Sequence, residues 1–190
     1  VDADELLDEM FSAAKQTTQE LGKVEGFTEP ELEHLYKIIG SAALKYFMLK
    51  VDPKKKMLFD PKESIDFNGN TGPFIGYTYA RIQSVLQKAT EANFTIDPKI
   101  ELNELERELV KLIYEFPIIL EQSANEYSPT LIANYVYDLT KTFNRFYHDC
   151  SILKEENETI KQLRLALAKQ CGYIIKTSML LLGIEVPNRM

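Results

Sequence analysis

Apolar side chains recur at intervals of three and four along nearly the whole chain, the spacing that gathers them on one face of an α-helix. Leu32, Leu35, Ile39, Ala43, Phe47 and Met48 form one such stripe, and Ile75, Tyr79, Ile82 and Leu86 another. Ile132, Val136, Leu139, Phe143, Phe146 and Cys150 make a third, and Ile160, Leu163, Leu167, Cys171 and Ile174 a fourth. Little alternates with a period of two. The pattern predicts an all-α helical bundle, with a boundary between about residues 60 and 70.

Start and stop signals divide the chain further. The first helix is expected to begin near Asp4 and to end around Gly22 and Gly26. Thr28 with Glu31 three residues on reads as a capping box, and Pro30 sits in the first turn of the second helix, which stops before Asp52-Pro53. Residues 51–71 carry two prolines and the triplet Lys54–Lys56, and read as an ordered loop or a short hairpin. A third helix is expected from about Thr71 to Ala92, and a fourth from Asn103, broken or kinked near Phe116 by Pro117. Ser128 as cap with Pro129 at the first helical position opens a fifth, reaching about Asp149. The last runs from about Asn157 to Gly183.

A chain of 190 residues suits one domain with an attached helical piece. Its net charge of −7 is uneven: −8 over residues 1–35, +5 over 36–90, −6 over 91–126 and +2 over 127–190. Two locally basic segments therefore permit a polyanionic partner despite the acidic total. No apolar run approaches the length of a membrane span. The acidic opening "VDADELLDEM" has no export-signal character, and without an initiating Met it reads as a piece of something longer. Cys150 and Cys171 form no CxxC pair and read as small buried hydrophobes in a reducing compartment.

Catalytic chemistry is not visible. His34 and His148 are the only histidines, and no zinc-protease motif, phosphate-binding glycine loop, nucleophile elbow or metal-spaced Cys/His group occurs. Neither a catalytic nor a metal-ligating residue is predicted. The carboxylates of "ELNELERELV" fit a solvated helix face, and "KKKM" at Lys54–Met57 a lysine-rich surface loop rather than a phosphate contact.

The stretch "DFNGNTGPFIGYTYARIQSVL", Asp66–Leu86, is different. A glycine-rich turn, which allows another molecule to come close, breaks into a helix whose second stripe holds Phe74, Tyr77, Arg81, Ser84 and Lys88. A tyrosine beside cations suits an unstacked base flanked by phosphates. The same residues also fit a tyrosine half-buried against a neighbouring helix with Arg81 in a surface ion pair. The fifth helix repeats the layout: Tyr137, Asn144 and Tyr147 lie beside the core stripe, with Arg145 and His148 beyond. Tyrosines also flank cores as amphipathic packing, so helical geometry allows an RNA platform without requiring one.

Three motifs in order, "DFNGNTGPFIGYTYARIQSVL", "LIANYVYDLTKTFNRFYHDCSIL" and the terminal "LLLGIEVPNRM", resemble the C-terminal region of arginyl-tRNA synthetases. "TIKQLRLALAKQ" at 159–170 resembles the stretch that names the DALR anticodon-binding domain, Lys-Gln-Leu-Arg standing for Asp-Ala-Leu-Arg. The resemblance implies a class I anticodon-binding bundle over residues 66–190 behind a helical connector over 1–65. It implies a cytoplasmic parent that joins L-arginine to its tRNA using ATP with magnesium, releasing AMP and diphosphate. This part would bind the arginine-specific tRNA through its anticodon stem-loop, hold no cofactor, meet neither membrane nor DNA, and not activate arginine alone. Tyr77, Arg81, Asn144, Tyr147 and Met190 match family positions that face the anticodon loop; Lys88 and Tyr137 join them from the helical faces above. Gly76 departs from the glutamine of many relatives, which removes a polar contact beside Tyr77 and loosens the helix start. Two other readings stand beside this one: the same bundle from another class I synthetase, such as the cysteine or methionine enzyme, and a helical protein-docking module. The mark of the latter, a contiguous exposed apolar patch, is not evident in the sequence.

Overall fold

A computed structural model describes residues 2–20, 22, 26–89 and 96–190 of the chain. Among these residues there are seven helices and no strand: α1 (Ala3–Glu20), α2 (Glu29–Leu49), α3 (Pro61–Ser64), α4 (Gly72–Lys88), α5 (Glu104–Asn125), α6 (Pro129–Asp149) and α7 (Glu158–Leu181). No described helix is long and apolar enough to cross a membrane.

The helix starts follow the capping chemistry. Glu31 accepts hydrogen bonds from the Thr28 N–H at 2.7 Å and the Thr28 hydroxyl at 2.8 Å, closing the entry to α2. Thr71 accepts from the Phe74 N–H, Asn103 from the Glu106 N–H, and Asn157 from the Thr159 and Ile160 N–H groups. At α6 the start rests on Pro129, because Ser128 makes no side-chain cap bond. The Ser128 carbonyl instead accepts from the Ser123 hydroxyl at 2.8 Å.

Several expectations are corrected. Residues 51–71 form no hairpin; a single turn, α3, capped by Asp60, interrupts the loop. Pro117 does not break α5, which runs through it to Asn125. Packing holds the helix together there: Phe116 stacks on Tyr135 at 5.7 Å, and Leu120 packs into the same core. Helix α4 stops at Lys88, where Ala89 turns extended; the expected end at Ala92 lies outside the described residues. Met48 is exposed rather than part of the α2 stripe. On α5 an outward stripe of Val110, Tyr114 and Ile118 is exposed, an apolar patch the sequence reading did not pick out.

Buried side chains fall into two clusters. The larger joins α4, α5, α6 and α7, including Ile75, Ile82, Leu109, Phe143, Phe146 and Ile175, and takes Ala42 and Tyr46 from α2. The smaller joins α1 and the other face of α2 to Ile65 and Phe67 of the connecting loop. Cys150 and Cys171 are free thiols in the larger cluster, and full burial pushes the Cys171 thiol up. After α7 the tail folds back. Ile184 and Val186 are buried, Asn188 accepts from the Tyr79 hydroxyl at 3.3 Å, and the Arg189 guanidinium lies 3.7 Å from the Phe27 ring centroid. Glu31 stands 3.7 Å from Arg189; its carboxyl is held below the usual range first by the Thr28 backbone and hydroxyl bonds and then by that charge.

Candidate nucleic-acid interface

Gly72, at the end of the 66–72 turn, serves the fold before any ligand. A Cβ on Gly72 would stand 2.3 Å from the Ala42 carbonyl oxygen, so the close partner is the backbone of α2, not an incoming molecule. That contact sets α4 against α2, and with it the helix face that carries Tyr77 and Arg81.

Arg81 stands at the centre of this face. Its guanidinium carbon lies 4.9 Å from the Tyr77 ring centroid on its own helix and 5.0 Å from that of Tyr147 on α6. One Nη donates to the Asn144 Oδ1, the Asn144 amide donates to the Thr78 hydroxyl at 2.7 Å, and Thr78 donates to the Phe74 carbonyl at 3.0 Å. Every donor and acceptor in this relay agrees in direction, which fixes the Asn144 amide orientation. No carboxylate among the described residues pairs with Arg81, so its charge is held by ring faces and a neutral amide. The surface ion pair that sequence geometry left open does not form.

The two tyrosines differ in access. Tyr147 is 40% exposed and stacks on Phe143, with ring centroids 6.4 Å apart. Tyr77 is half-buried, with Phe67 edge-on at 6.3 Å. Met190 is also half-buried and packs against the smaller cluster, as Tyr77 does. Asn144, expected to face RNA, has one hydrogen bond at each end of its amide inside the protein and acts as the anchor of Arg81. Tyr137 packs on Phe74 at 5.9 Å, away from Arg81. Lys88 is exposed but stands eleven residues beyond Tyr77, about 16 Å along the axis, and lines a separate depression with α7. Tyr77, Arg81, Asn144 and Tyr147 are thus brought together, and Lys88 and Tyr137 are not. Gly76 is buried, and a Cβ there would meet only Pro187 Cδ at 3.5 Å. Sequence reasoning missed Thr78, which is fully buried; a threonine at core spacing between Ile75 and Ile82, three residues before Arg81, was the available signal.

A family model described as the DALR anticodon binding domain matches residues 75–190. The chain belongs to this family. Within this domain Arg164, in the stretch that resembles the DALR motif, donates through Nε to Glu106 at 2.8 Å and through Nη1 to Glu155 and to the Ser151 carbonyl, both at 2.7 Å. The domain-bearing chain is 56% identical to an arginine–tRNA ligase of Bacteroides thetaiotaomicron, over all of this chain and 32% of that protein. It is 52% identical to an arginine–tRNA ligase of Flavobacterium psychrophilum, over all of this chain and 31% of that protein. Among solved structures it superposes on Thermus thermophilus arginyl-tRNA synthetase with a TM-score of 0.90 at 28% identity, over the whole chain and 32% of that one. The arginyl-tRNA synthetase of Plasmodium falciparum gives 0.85 at 29%, over the whole chain and 34% of that one. The DALR chain therefore spans about a third of the length of the proteins it matches. No group of three or more His, Cys, Asp or Glu among its described residues is placed to hold a metal.

Proposed function

We propose that this chain is the tRNA-binding portion of a cytoplasmic arginine–tRNA ligase and grips the anticodon stem-loop of the arginine-specific tRNA. Residues 1–65 act as the helical connector and 66–190 as the anticodon-binding bundle. The ATP, its magnesium and the L-arginine belong to a catalytic part that this chain does not contain, so the chain alone forms no aminoacyl-tRNA. The observation that carries the reading is Arg81 poised between the Tyr77 and Tyr147 rings, on two helices, with no carboxylate partner among the described residues. Such a group meets a splayed strand on two terms: aromatic surface takes a base, and the remaining guanidinium N–H donors take a phosphate or a base edge. The family match and the names of the relatives support the same conclusion from outside the geometry.

Gel mobility with an arginine-specific tRNA transcript tests it. Tyr77→Ala and Tyr147→Ala are each expected to lose about 1–3 kcal/mol of binding, roughly 5- to 150-fold in affinity, with far-UV circular dichroism unchanged. Equal affinity of both variants and the parent chain would reject the assignment.

A further inference from the structure

A shallow depression of about 340 Å³ lies directly beside the Arg81 cluster, walled by Phe74 from α4 and by Lys141, Asn144, Arg145, His148 and Asp149 from α6. On α6, Asn144 and Arg145 stand three and four residues on from Lys141, and His148 seven, which gathers the four on one helix face. Asn144 is common to both sites: the amide that anchors Arg81 forms the wall between them.

The polar side chains here are unequally engaged. Arg145 Nη1 is 3.5 Å from Glu108, and His148 Nδ1 is 2.6 Å from the Asp149 carboxylate. Lys141 is exposed and has no carboxylate partner among the described residues. It is the open cation at the end of the depression away from Asp149. An ammonium on a flexible stem meets phosphate as a point charge and needs no fixed fork. Phe74, half-buried against Tyr137, gives the depression an apolar floor suited to a sugar or base edge. Lys141 and Tyr147 are six residues apart on α6, about 9 Å along the axis and about a third of a turn around it, so a strand with one base at Tyr147 turns around the helix to bring a neighbouring phosphodiester to Lys141.

We propose that this depression seats the nucleotide adjacent to the one at Tyr77, Arg81 and Tyr147, with Lys141 neutralising its phosphate. The proposal rests on the RNA-binding reading above and adds a second subsite to it. Lys141→Gln removes the charge and keeps most of the side-chain length. Binding of the chain to the arginine-specific transcript, followed by fluorescence anisotropy over a range of potassium chloride concentrations, reads the result. The slope of log affinity against log salt is expected to become shallower by about 0.7, the value for one single-strand phosphate contact. The loss is greatest at low salt and the same for transcripts with altered anticodon bases, because phosphate carries no sequence. Lys176→Gln, exposed on α7 and outside the depression, leaves the slope unchanged. An unaltered slope for Lys141→Gln while Tyr147→Ala still weakens binding overturns the second subsite and leaves the reading standing. If neither tyrosine variant nor Lys141→Gln changes binding, both fall.

Discussion

Glu106→Ala is expected to lower the free energy of unfolding by up to about 3–5 kcal/mol, the range for breaking a buried ion pair by removing one partner. Glu106 is 3% exposed and Arg164 12%, with Nε and Oε1 2.8 Å apart. Glu106 also accepts from the Asn103 N–H at 2.9 Å, so the same carboxylate closes the start of α5. Removing it takes one of two carboxylates from Arg164 and leaves the Asn103 N–H without its acceptor, while the Asn103 side chain still caps the N–H of residue 106. Glu155 and the Ser151 carbonyl still hold Nη1 of Arg164, which limits the damage. For a domain of this size the loss corresponds to a fall in thermal midpoint of roughly 6–20 °C. Glu106→Gln keeps an oxygen for only one of the two donors, since Arg164 Nε bonds Oε1 and the Asn103 N–H bonds Oε2, and turns an NH2 toward the other, so its loss is expected at about 1–3 kcal/mol, below that of Glu106→Ala. Thermal melts of the two variants check this. Glu106→Ala melting within a degree or two of the parent chain would show that Arg164 is adequately held without it. The DALR-type arginine in this chain is on this view a staple among α5, the α6–α7 connection and α7, and not an RNA contact.

Gly72→Ala should be as damaging for a different reason. The added Cβ would sit 2.3 Å from the Ala42 oxygen, 2.6 Å from its carbonyl carbon and 3.1 Å from Tyr46 Cβ. Two of those atoms are backbone in the middle of α2 and cannot turn aside, so the helices must separate. A loss of about 3 kcal/mol or more is expected, at the upper end for overpacking. Gly76→Ala, one turn further along the same helix, is the internal comparison. Its Cβ would meet only Pro187 Cδ, in ordinary contact at 3.5 Å. Alanine also suits a helix interior better than glycine by up to about 1 kcal/mol, so this variant is expected to be neutral or slightly stabilising. Denaturant titrations of the pair decide, and the reverse order would refute the crossing described here. Since Gly72 positions α4, its variant should also weaken tRNA binding, whereas Gly76→Ala should not.

The core stripes and most caps were legible because they depend on residues within one or two turns of each other. Ile75, Tyr79, Ile82, Val136, Phe143 and Cys171 are all buried as their spacing required, and Asn103 and Asn157 cap where they stand. Pro117 misled because the local cost of a proline is real, yet the packing of Phe116 and Leu120 outweighs it. The candidate site was only half legible. Spacing places Tyr77 and Arg81 on one face of α4, and Asn144 and Tyr147 on one face of α6. It does not say how the two helices register. That register turns Asn144 inward to Arg81 and Thr78, sets Tyr137 on Phe74, and leaves Lys88 at the far end of α4. The glycine-rich turn invited a ligand-centred reading for the same reason: one strand of sequence cannot reveal that the close neighbour is Ala42.

The separation of buried side chains into two clusters has a bearing on how the chain loses structure. Helix α1 packs against α2 and the single turn α3, and its buried Met10 and Ala14 belong wholly to the smaller cluster. Amide protons on α1 can therefore exchange through a partial opening that leaves Phe143, Phe146 and Ile175 dry, and with them the seating of Tyr147. A lesion such as Met10→Ala would raise the population of such half-opened molecules, in which Tyr77, packed against that same smaller cluster, loosens while Tyr147 keeps its seat, so the two rings would part company before the bundle melts.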